Sequence, residues 1–528
     1  MKRRDFLTKA IPAGVVLPSL INGLTFKAFG SSPLMAALTA AGEDSDHVLV
    51  IIQMNGGNDG LNMVIPLDQY DNLTKARSNI ILPNNKILKL GNFDTGLHPS
   101  MQGLNALYKE GKLQVIQSVG YPQPSFSHFR ATDIWLTASD STQMLNSGWT
   151  GRYLDQEFSG YPIGFPNSVM PDPLAIQIGS FISPAFQGPS VGMGLAISDP
   201  VNFYNLINGI QDPAPNTNAG KELTYIRQVS QQTQQYAAVI KNAASKVTVQ
   251  GTYPTGNSLA DQLKIVSRLI AGGLKTRIYM VNIGGFDTHA LQVNAGATET
   301  GAHANLLLKV SDAVKAFMDD LKLQKASKRV IGMTFSEFGR RIQSNSSGGT
   351  DHGAAAPLFI FGDYVQSGVL GKNPIIPALV TSNDNVPMQY DFRSVYASIL
   401  QKWFCVSDNT LQAVMLKNFQ SLPIISSRAP CTTGTLADLN GAGDNILISN
   451  YPNPFQSFTN INYKSKGGHV LIQIFDIQGR LMRTLVDGVS NVGDHAIMLE
   501  NHGYSPGLYY ARFQNQDLQQ VRTMMVAR

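Results

Sequence analysis

An α/β core with a mostly parallel sheet covered by helices on both faces, followed by an all-β sandwich, is the fold class that this 528-residue sequence predicts. Three observations predict it. Apolar strand-like runs alternate with helical periodicity as far as about residue 426, short polar clusters follow three of those runs, and beyond 426 the helical period disappears. The runs lie at 48–52, 113–119, 175–178, 277–283, 330–335 and 358–362. They are unbroken rather than alternating, the pattern of strands buried on both faces. Between them a helix is expected over 305–323, where Leu306, Leu307, Val310, Val314, Phe317, Met318 and Leu321 recur on one side. A core spanning 46–425 is large enough to enclose a catalytic centre.

Residues 426–447, rich in Thr, Gly, Ala and Ser, read as a linker. After it, short strands at 470–476, 481–486, 495–500 and 508–514 are separated by turn signals at Ile477-Gln478-Gly479-Arg480, Asn491-Val492-Gly493-Asp494 and Ser505-Pro506-Gly507. A small antiparallel sandwich over 448–528 fits those spacings. Its strings Asn450-Tyr451-Pro452-Asn453-Pro454-Phe455, Ile461-Asn462-Tyr463, Ile474 to Arg480, Gly507-Leu508-Tyr509-Tyr510 and Met525 to Arg528 resemble, in order, the C-terminal sorting domain of type IX secretion cargo. The resemblance implies a Gram-negative bacterium, passage through the periplasm and delivery to the outside or the cell surface.

The polar clusters carry the chemistry. Asn55, Gly56, Gly57, Asn58 and Asp59 follow the first run, Asp287, Thr288 and His289 follow the fourth, and Glu337 follows the fifth, with Asp351, His352 and Gly353 shortly after. Carboxylates and imidazoles brought to the ends of several strands of one sheet are how an α/β enzyme assembles an oxygen and nitrogen metal site. The chain therefore reads first as a metallohydrolase.

The core resembles the domain of unknown function 1501 family, within the alkaline phosphatase and sulfatase superfamily. The residues that carry the resemblance are Asn55 to Asn62, Ser127-His128-Phe129 with Asp133 and Trp135, Gly285 to His289, Ser336 to Arg340, and Gly349 to Gly353. The resemblance implies an alkaline-phosphatase-like fold and one or two divalent cations, among zinc, manganese, iron, calcium and magnesium. It assigns Asp351 and His352 to the Asp-His ligand pair, Asp287 and His289 to the other ligand group, Glu337 to a bridging or third-ligand position, and Ser127 to the nucleophile. A cation there acts as a Lewis acid on a phosphoryl or sulfuryl oxygen, and a helix N-terminus offers N–H donors to the anion. Asn55 stands where a metal-binding Asp is expected, with Asp59 as the substitute from the loop, and His128 and Arg340 are assigned to substrate. No Cys-x-Pro-x-Arg or Ser-x-Pro-x-Arg string is present, which disfavours a sulfatase of the usual type.

Several residues keep a structural reading beside the chemical one. Ser127 can cap the helix through Trp135, and Asn55 to Asn62 can be a tight strand-to-helix turn. Arg340 and Arg341 can be solvated on a helix after the strand, and His98 reads as a loop histidine. The expected function is a secreted or cell-surface metal-dependent hydrolase of phosphate, less readily sulfate, esters, acting on a small-molecule or polymer-linked anionic ester. The alternative is a non-catalytic extracellular binding protein that retains the fold, which the neutral Asn55 favours.

The remaining signals concern location. Arg3-Arg4-Asp5-Phe6-Leu7-Thr8-Lys9 before an apolar stretch from Ile11 resembles a twin-arginine export signal, assigned to residues 1–41. Lys2, Arg3, Arg4, Lys9 and Lys27 against Asp5 account for most of the net charge of +5, leaving about +1 for the rest. No basic stripe remains for nucleic acid. No other apolar stretch approaches the ~18 to 20 residues that cross a bilayer, so no membrane span is expected in the mature chain. Export would put Cys405 and Cys431 in an oxidising compartment, which permits a disulfide between them.

Overall fold

The strand-like runs are apolar throughout because the sheet they form is packed on both sides. In β1 (Val48–Met54) every residue is buried, and alternate side chains enter two separate cores: Val48, Val50, Ile52 and Met54 join one, Leu49 and Ile51 the other. The computed structural model describes residues 20–21, 24–25, 46–91, 94–198, 236–427, 429, 446–451, 455–476, 478–501, 503–515 and 519–526. The chain divides into two units, Met1–His47 and Val48–Arg528. In the first, Leu20–Ile21 pairs antiparallel with Leu24–Thr25, and Arg3 and Arg4, expected to belong to an export signal, lie outside the described residues.

Among the described residues, nine strands make the main sheet. After β1 come β2 (Leu113–Gly120), β3 (Ala175–Ile178), β4 (Gly194–Ile197), β5 (Ile278–Ile283), β6 (Val330–Phe335), β7 (Ala356–Gly362), β8 (Gly368–Leu370) and β9 (Tyr390–Asp391). Their order is β8-β2-β7-β6-β1-β5-β3-β4, with β9 paired to β2. All pairs are parallel except those of β7, which runs antiparallel to both β6 and β2. Ile51 of β1 sits between Met280 of β5 and Met333 of β6, so the middle of the sheet is in simple register.

Helices cover both faces. On one lie α1 (Gln102–Lys109), α4 (Ser258–Ala271) and α5 (Ala302–Leu323); on the other α2 (His128–Thr137), α3 (Trp149–Glu157) and α6 (Phe392–Lys402). The helix expected at 305–323 is α5, one turn longer at its start, and buries Leu307, Val310, Val314, Phe317 and Leu321. Each such side chain contributes about 1.5–3 kcal/mol on burial. Asn257 caps α4, its side chain accepting from the N–H groups of Leu259 and Ala260. Cys405 is disulfide-bonded, and Cys431 lies outside the described residues.

The C-terminal region is all-β. β10 (Ile446–Tyr451), β11 (Phe458–Asp476), β12 (Leu481–Glu500), β13 (Gly507–Gln514) and β14 (Gln519–Val526) form one five-stranded antiparallel sheet. Of the turn expected at 477–480, Gln478 to Arg480 are described, with Asp476 Oδ1 accepting from the N–H groups of Gln478 and Arg480 at 2.9 and 3.0 Å. The turn expected at Asn491 to Asp494 is absent. Those residues lie inside β12, with Gly493 opposite Ser465, because β11 continues alongside and its ladder holds them extended. Both halves of the long β11 feed one core, which includes Ile461, Ile472, Ile474, Leu499, Phe513 and Met524.

Candidate metal centre

Every loop of the site leaves the same end of the main sheet. β1, β2, β5 and β6 finish there, and the antiparallel β7 begins there after a hairpin of Arg340–Ser344 and Thr350–His352. At the end of β1, Asn55 ties two of these loops by its backbone: its N–H donates to Ile283 O at 2.9 Å, and its carbonyl accepts from Phe286 N–H at 3.1 Å. Gly56 then takes φ +123°, and a Cβ there would lie 2.3 Å from Asp287 N. Gly57 takes φ +73°, and its Cβ would enter the Phe338 ring. The glycines are therefore required by close approach as well as by dihedral. Gly56 N–H, freed from any ladder, donates to Glu337 Oε1 at 2.9 Å.

Three histidines converge on Asp287, and each spends its Nδ1 on an oxygen. His128 Nδ1 is 2.8 Å from Glu337 Oε1, His289 Nδ1 is 3.0 Å from Asp351 Oδ1, and His352 Nδ1 is 2.8 Å from the Phe126 carbonyl. A carboxylate or carbonyl oxygen only accepts, so each Nδ1 donates, and in the neutral ring each Nε2 keeps its lone pair. Those Nε2 atoms surround one carboxylate. Asp287 Oδ2 is 3.5 Å from His128 Nε2, and Oδ1 is 3.1 Å from His289 Nε2 and 3.2 Å from His352 Nε2. The Nε2 atoms of His289 and His352 are 2.9 Å apart. A proton on an imidazole or a bound cation satisfies such a cluster, and roughly 3–3.5 Å is also the separation of two ligands on one metal ion. Among the described residues, His128, Asp287 and His352 form a group whose ligand atoms all lie within 4.8 Å of one another.

Glu337 and Asp351, expected as ligands, stand behind the histidines. Glu337 is 2% exposed, with Oε1 taken by His128 and the Gly56 N–H and Oε2 facing the Ser336 hydroxyl at 3.3 Å. Asp351 is held by Asn345, whose Nδ2 donates to it at 3.1 Å and to the His289 carbonyl at 2.8 Å. Burial raises the Asp351 carboxyl and His289 and Asn345 lower it, for a net depression. At Asp287 burial is likewise outweighed, by Arg340 and the neighbouring imidazoles, and the carboxyl is held below its ordinary value.

Two further expectations are corrected by burial. Arg340 is on a strand, not a helix, and is 1% exposed. Its donors go to Gly57 O (2.5 Å), Gly56 O (2.5 Å), Thr350 O (2.6 Å), Phe286 O (3.1 Å) and Asp287 Oδ1 (2.7 Å), so it fastens the loops rather than presenting itself to a substrate anion. Asp59 is fully buried and bound by Arg77 Nη1 at 2.9 and 2.8 Å, with Gln292 Nε2 at 2.7 Å. Burial pushes its carboxyl up, but Arg77, His303 and Gln292 more than offset that. Asp59 is thus no ligand from the loop; it anchors the loop.

Ser127 occupies the N-cap position of α2, yet its side chain makes no capping hydrogen bond. The residue is exposed and lies between Phe126, which holds His352, and His128. Its hydroxyl is not spent on the helix, and the N-terminal N–H groups of α2 give the position a positive end.

Sequence reasoning missed the layer beneath. His303 is buried between Asn58 Oδ1 (2.8 Å from Nε2) and Asn62 Nδ2 (3.0 Å from Nδ1). His98 is in a loop, as expected, but is fully buried there, its Nδ1 accepting from Ser100 N–H at 3.1 Å. Burial depresses His98 to about 3 and His303 to about 4. Below an unfolded value of about 6.5 the unfolded chain takes up protons that the folded chain refuses, so stability is lost as pH falls from about 6.5 towards 4. The expected slope is about 1.4 kcal/mol per pH unit for each group. Urea unfolding at pH 7, 6 and 5 should show that fall, and His98→Gln should flatten it by about half; an unchanged slope in the variant would refute this account of His98.

Residues 46–415 match the family described as protein of unknown function (DUF1501), and residues 449–527 match the secretion system C-terminal sorting domain. The chain belongs to the DUF1501 family. Its sorting domain marks this DUF1501 protein for secretion or the cell surface, and among the described residues no helix is long and apolar enough to cross a membrane. No curated protein matches it. Solved structures similar to it include a protein in the alkaline phosphatase superfamily from Vibrio parahaemolyticus, with 10% identity, 91% of this chain and 82% of that chain covered, and a TM-score of 0.31. The PsFucS1 sulfatase from Pseudoalteromonas sp. is similar at 9% identity, with 89% and 88% covered and a TM-score of 0.29. A phosphonate monoester hydrolase of Agrobacterium radiobacter is similar at 9% identity, with 91% and 89% covered and a TM-score of 0.26.

Proposed function

We propose that this DUF1501 protein is a secreted or surface metal-dependent hydrolase of phosphate esters, with sulfate esters the poorer substrates. The observation that carries the reading is the set of three Nδ1 atoms bound to oxygen acceptors, which turns three Nε2 lone pairs towards Asp287. His128, His289, His352 and Asp287 would hold the cation. Three imidazoles and one carboxylate suit zinc, manganese or iron, whereas calcium and magnesium prefer all-oxygen sites. When bound, such a cation supplies Lewis-acid polarisation of the ester oxygens.

The chain's own groups do the rest. Ser127 Oγ bonds to phosphorus and gives its proton to solvent at this exposed position, while the bond from phosphorus to the ester oxygen breaks and that oxygen takes a proton from solvent and leaves as the alcohol. Water then cleaves the phosphoserine and releases phosphate. Arg340 keeps Asp287 in place, and Glu337 and Asp351 fix the tautomers of His128 and His289.

The test is turnover of an aryl phosphate by the metal-loaded protein beside its Ser127→Ala variant. The expected result is hydrolysis by the parent, none by the variant, and equal metal content in both; hydrolysis that survives in Ser127→Ala would remove the serine mechanism. Glu337→Gln should weaken metal binding about 10–100-fold by leaving the His128 tautomer undetermined. Competition with a chelator measures this, and an unchanged affinity would contradict the role given to Glu337.

A further inference from the structure

Two threonines stand immediately before residues of the histidine cluster, Thr288 before His289 and Thr350 before Asp351 and His352, and both are buried. Their hydroxyls donate to one acceptor, Gln292 Oε1, at 3.0 Å each. Gln292 is itself fully buried, and its Nε2 donates to Asp59 Oδ2 at 2.7 Å. A carboxylate bound by a guanidinium only accepts, so the amide has one orientation: Nε2 faces Asp59 and Oε1 faces the threonines. The chain reaches this position through Leu291, which takes φ +51° and stays exposed while Gln292 turns inward. A leucine in the left-handed region is strained, and the strain is held by backbone bonds from Leu291 N–H to Ser347 O at 3.1 Å and from Gln292 N–H to Gly348 O at 2.9 Å.

On its other side Gln292 meets the loop that serves His128. Asp59 lies three residues beyond Gly56, whose N–H donates to Glu337 Oε1, the atom that holds His128 Nδ1. Arg77, which binds Asp59, also donates to the carbonyls of Ile342 and Arg341 at 2.7 Å each, in the first strand of the hairpin. We infer that Gln292 is a positioning residue for the metal centre, its one amide setting the distance between His128 and the pair His289 and His352. The inference rests on the metal-centre reading, because that distance matters only where the three imidazoles share an ion. Ligands on different loops meet one ion only when they are held to within about 0.5 Å, and a buried amide bonded at both ends supplies that restraint.

The experiment measures zinc and manganese affinity of the full chain by competition with a chelator, and the number of imidazoles on the metal by X-ray absorption at saturating metal. Gln292→Met keeps the bulk of the side chain and removes its hydrogen bonds. It should bind metal about 10- to 100-fold more weakly than the parent and show about two imidazoles where the parent shows about three. Thr288→Val and Thr350→Val strand no charge, and each should weaken metal binding about threefold to tenfold. Either change added to Gln292→Met should cost nothing further, since both act through the same oxygen. A lowered melting temperature in Gln292→Met with parental affinity and three imidazoles would make the residue a purely structural one and overturn the inference, as would threonine losses that add in full to that of Gln292→Met. If Gln292→Met does not fold, the threonine variants decide, and parental affinity in both overturns the inference. A parent that binds neither zinc nor manganese overturns the metal-centre reading and the inference with it.

Discussion

His352→Ala should lower metal affinity at least about 100-fold and hydrolysis about a thousandfold or more. His352 has Nε2 within 3.2 Å of Asp287 and 2.9 Å of His289 Nε2, so its loss opens the middle of the cluster rather than its rim. The ring is part-exposed, and removing it leaves the Phe126 carbonyl, its Nδ1 partner, free to meet water. Folding should therefore change little, and the circular dichroism melt of the metal-free variant should match that of the metal-free parent. Metal analysis after dialysis, run beside turnover, checks the prediction. Full metal occupancy in the variant would show that His352 holds nothing.

Arg340→Met should act in the opposite way, through the fold. The substitution leaves four carbonyl oxygens, those of Gly56, Gly57, Phe286 and Thr350, without their donor, and it leaves Asp287 without its counter-charge. Stranding a buried carbonyl oxygen costs about 1–3 kcal/mol, and the contact to the half-exposed Asp287 adds less because solvent screens it. The melting temperature of the metal-free protein should fall by roughly 10 °C. Arg340→Lys should recover little, because one ammonium cannot reach acceptors on three loops at once. An unchanged melt would mean that water replaces the guanidinium without loss.

The architecture was legible because it depends on short-range pattern. Unbroken apolar runs gave β1, β2, β3, β5, β6 and β7, and the one long heptad-like stretch gave α5. The convergence of Asp287, His289, Asp351 and His352 follows from strand direction alone, since all sit at one end of one sheet. The division of labour within the cluster was not legible. Whether a carboxylate reaches the centre of the cluster or a histidine beside it depends on a few ångströms of loop path, and that path is set by Arg340, Gly56 and Asn345, residues that meet only in three dimensions. Asp59 misled for the same reason: its partner Arg77 carries no local signal that it will fold back over the loop. Asn345 reaches both His289 and Asp351 from the turn between the two hairpin strands. In β12 the failure ran the other way, as a strong local turn signal at 491–494 yielded to a ladder with β11.

The most direct test of the metal centre is X-ray absorption at the metal edge of the zinc- or manganese-loaded protein. The account predicts an inner shell dominated by imidazole nitrogen, about three of them at about 2.0–2.2 Å with one carboxylate oxygen, and the outer-ring scattering that identifies histidine. His289→Ala should remove one imidazole from that count. A shell of oxygen alone, with Glu337 and Asp351 as ligands and no imidazole scattering, would contradict it.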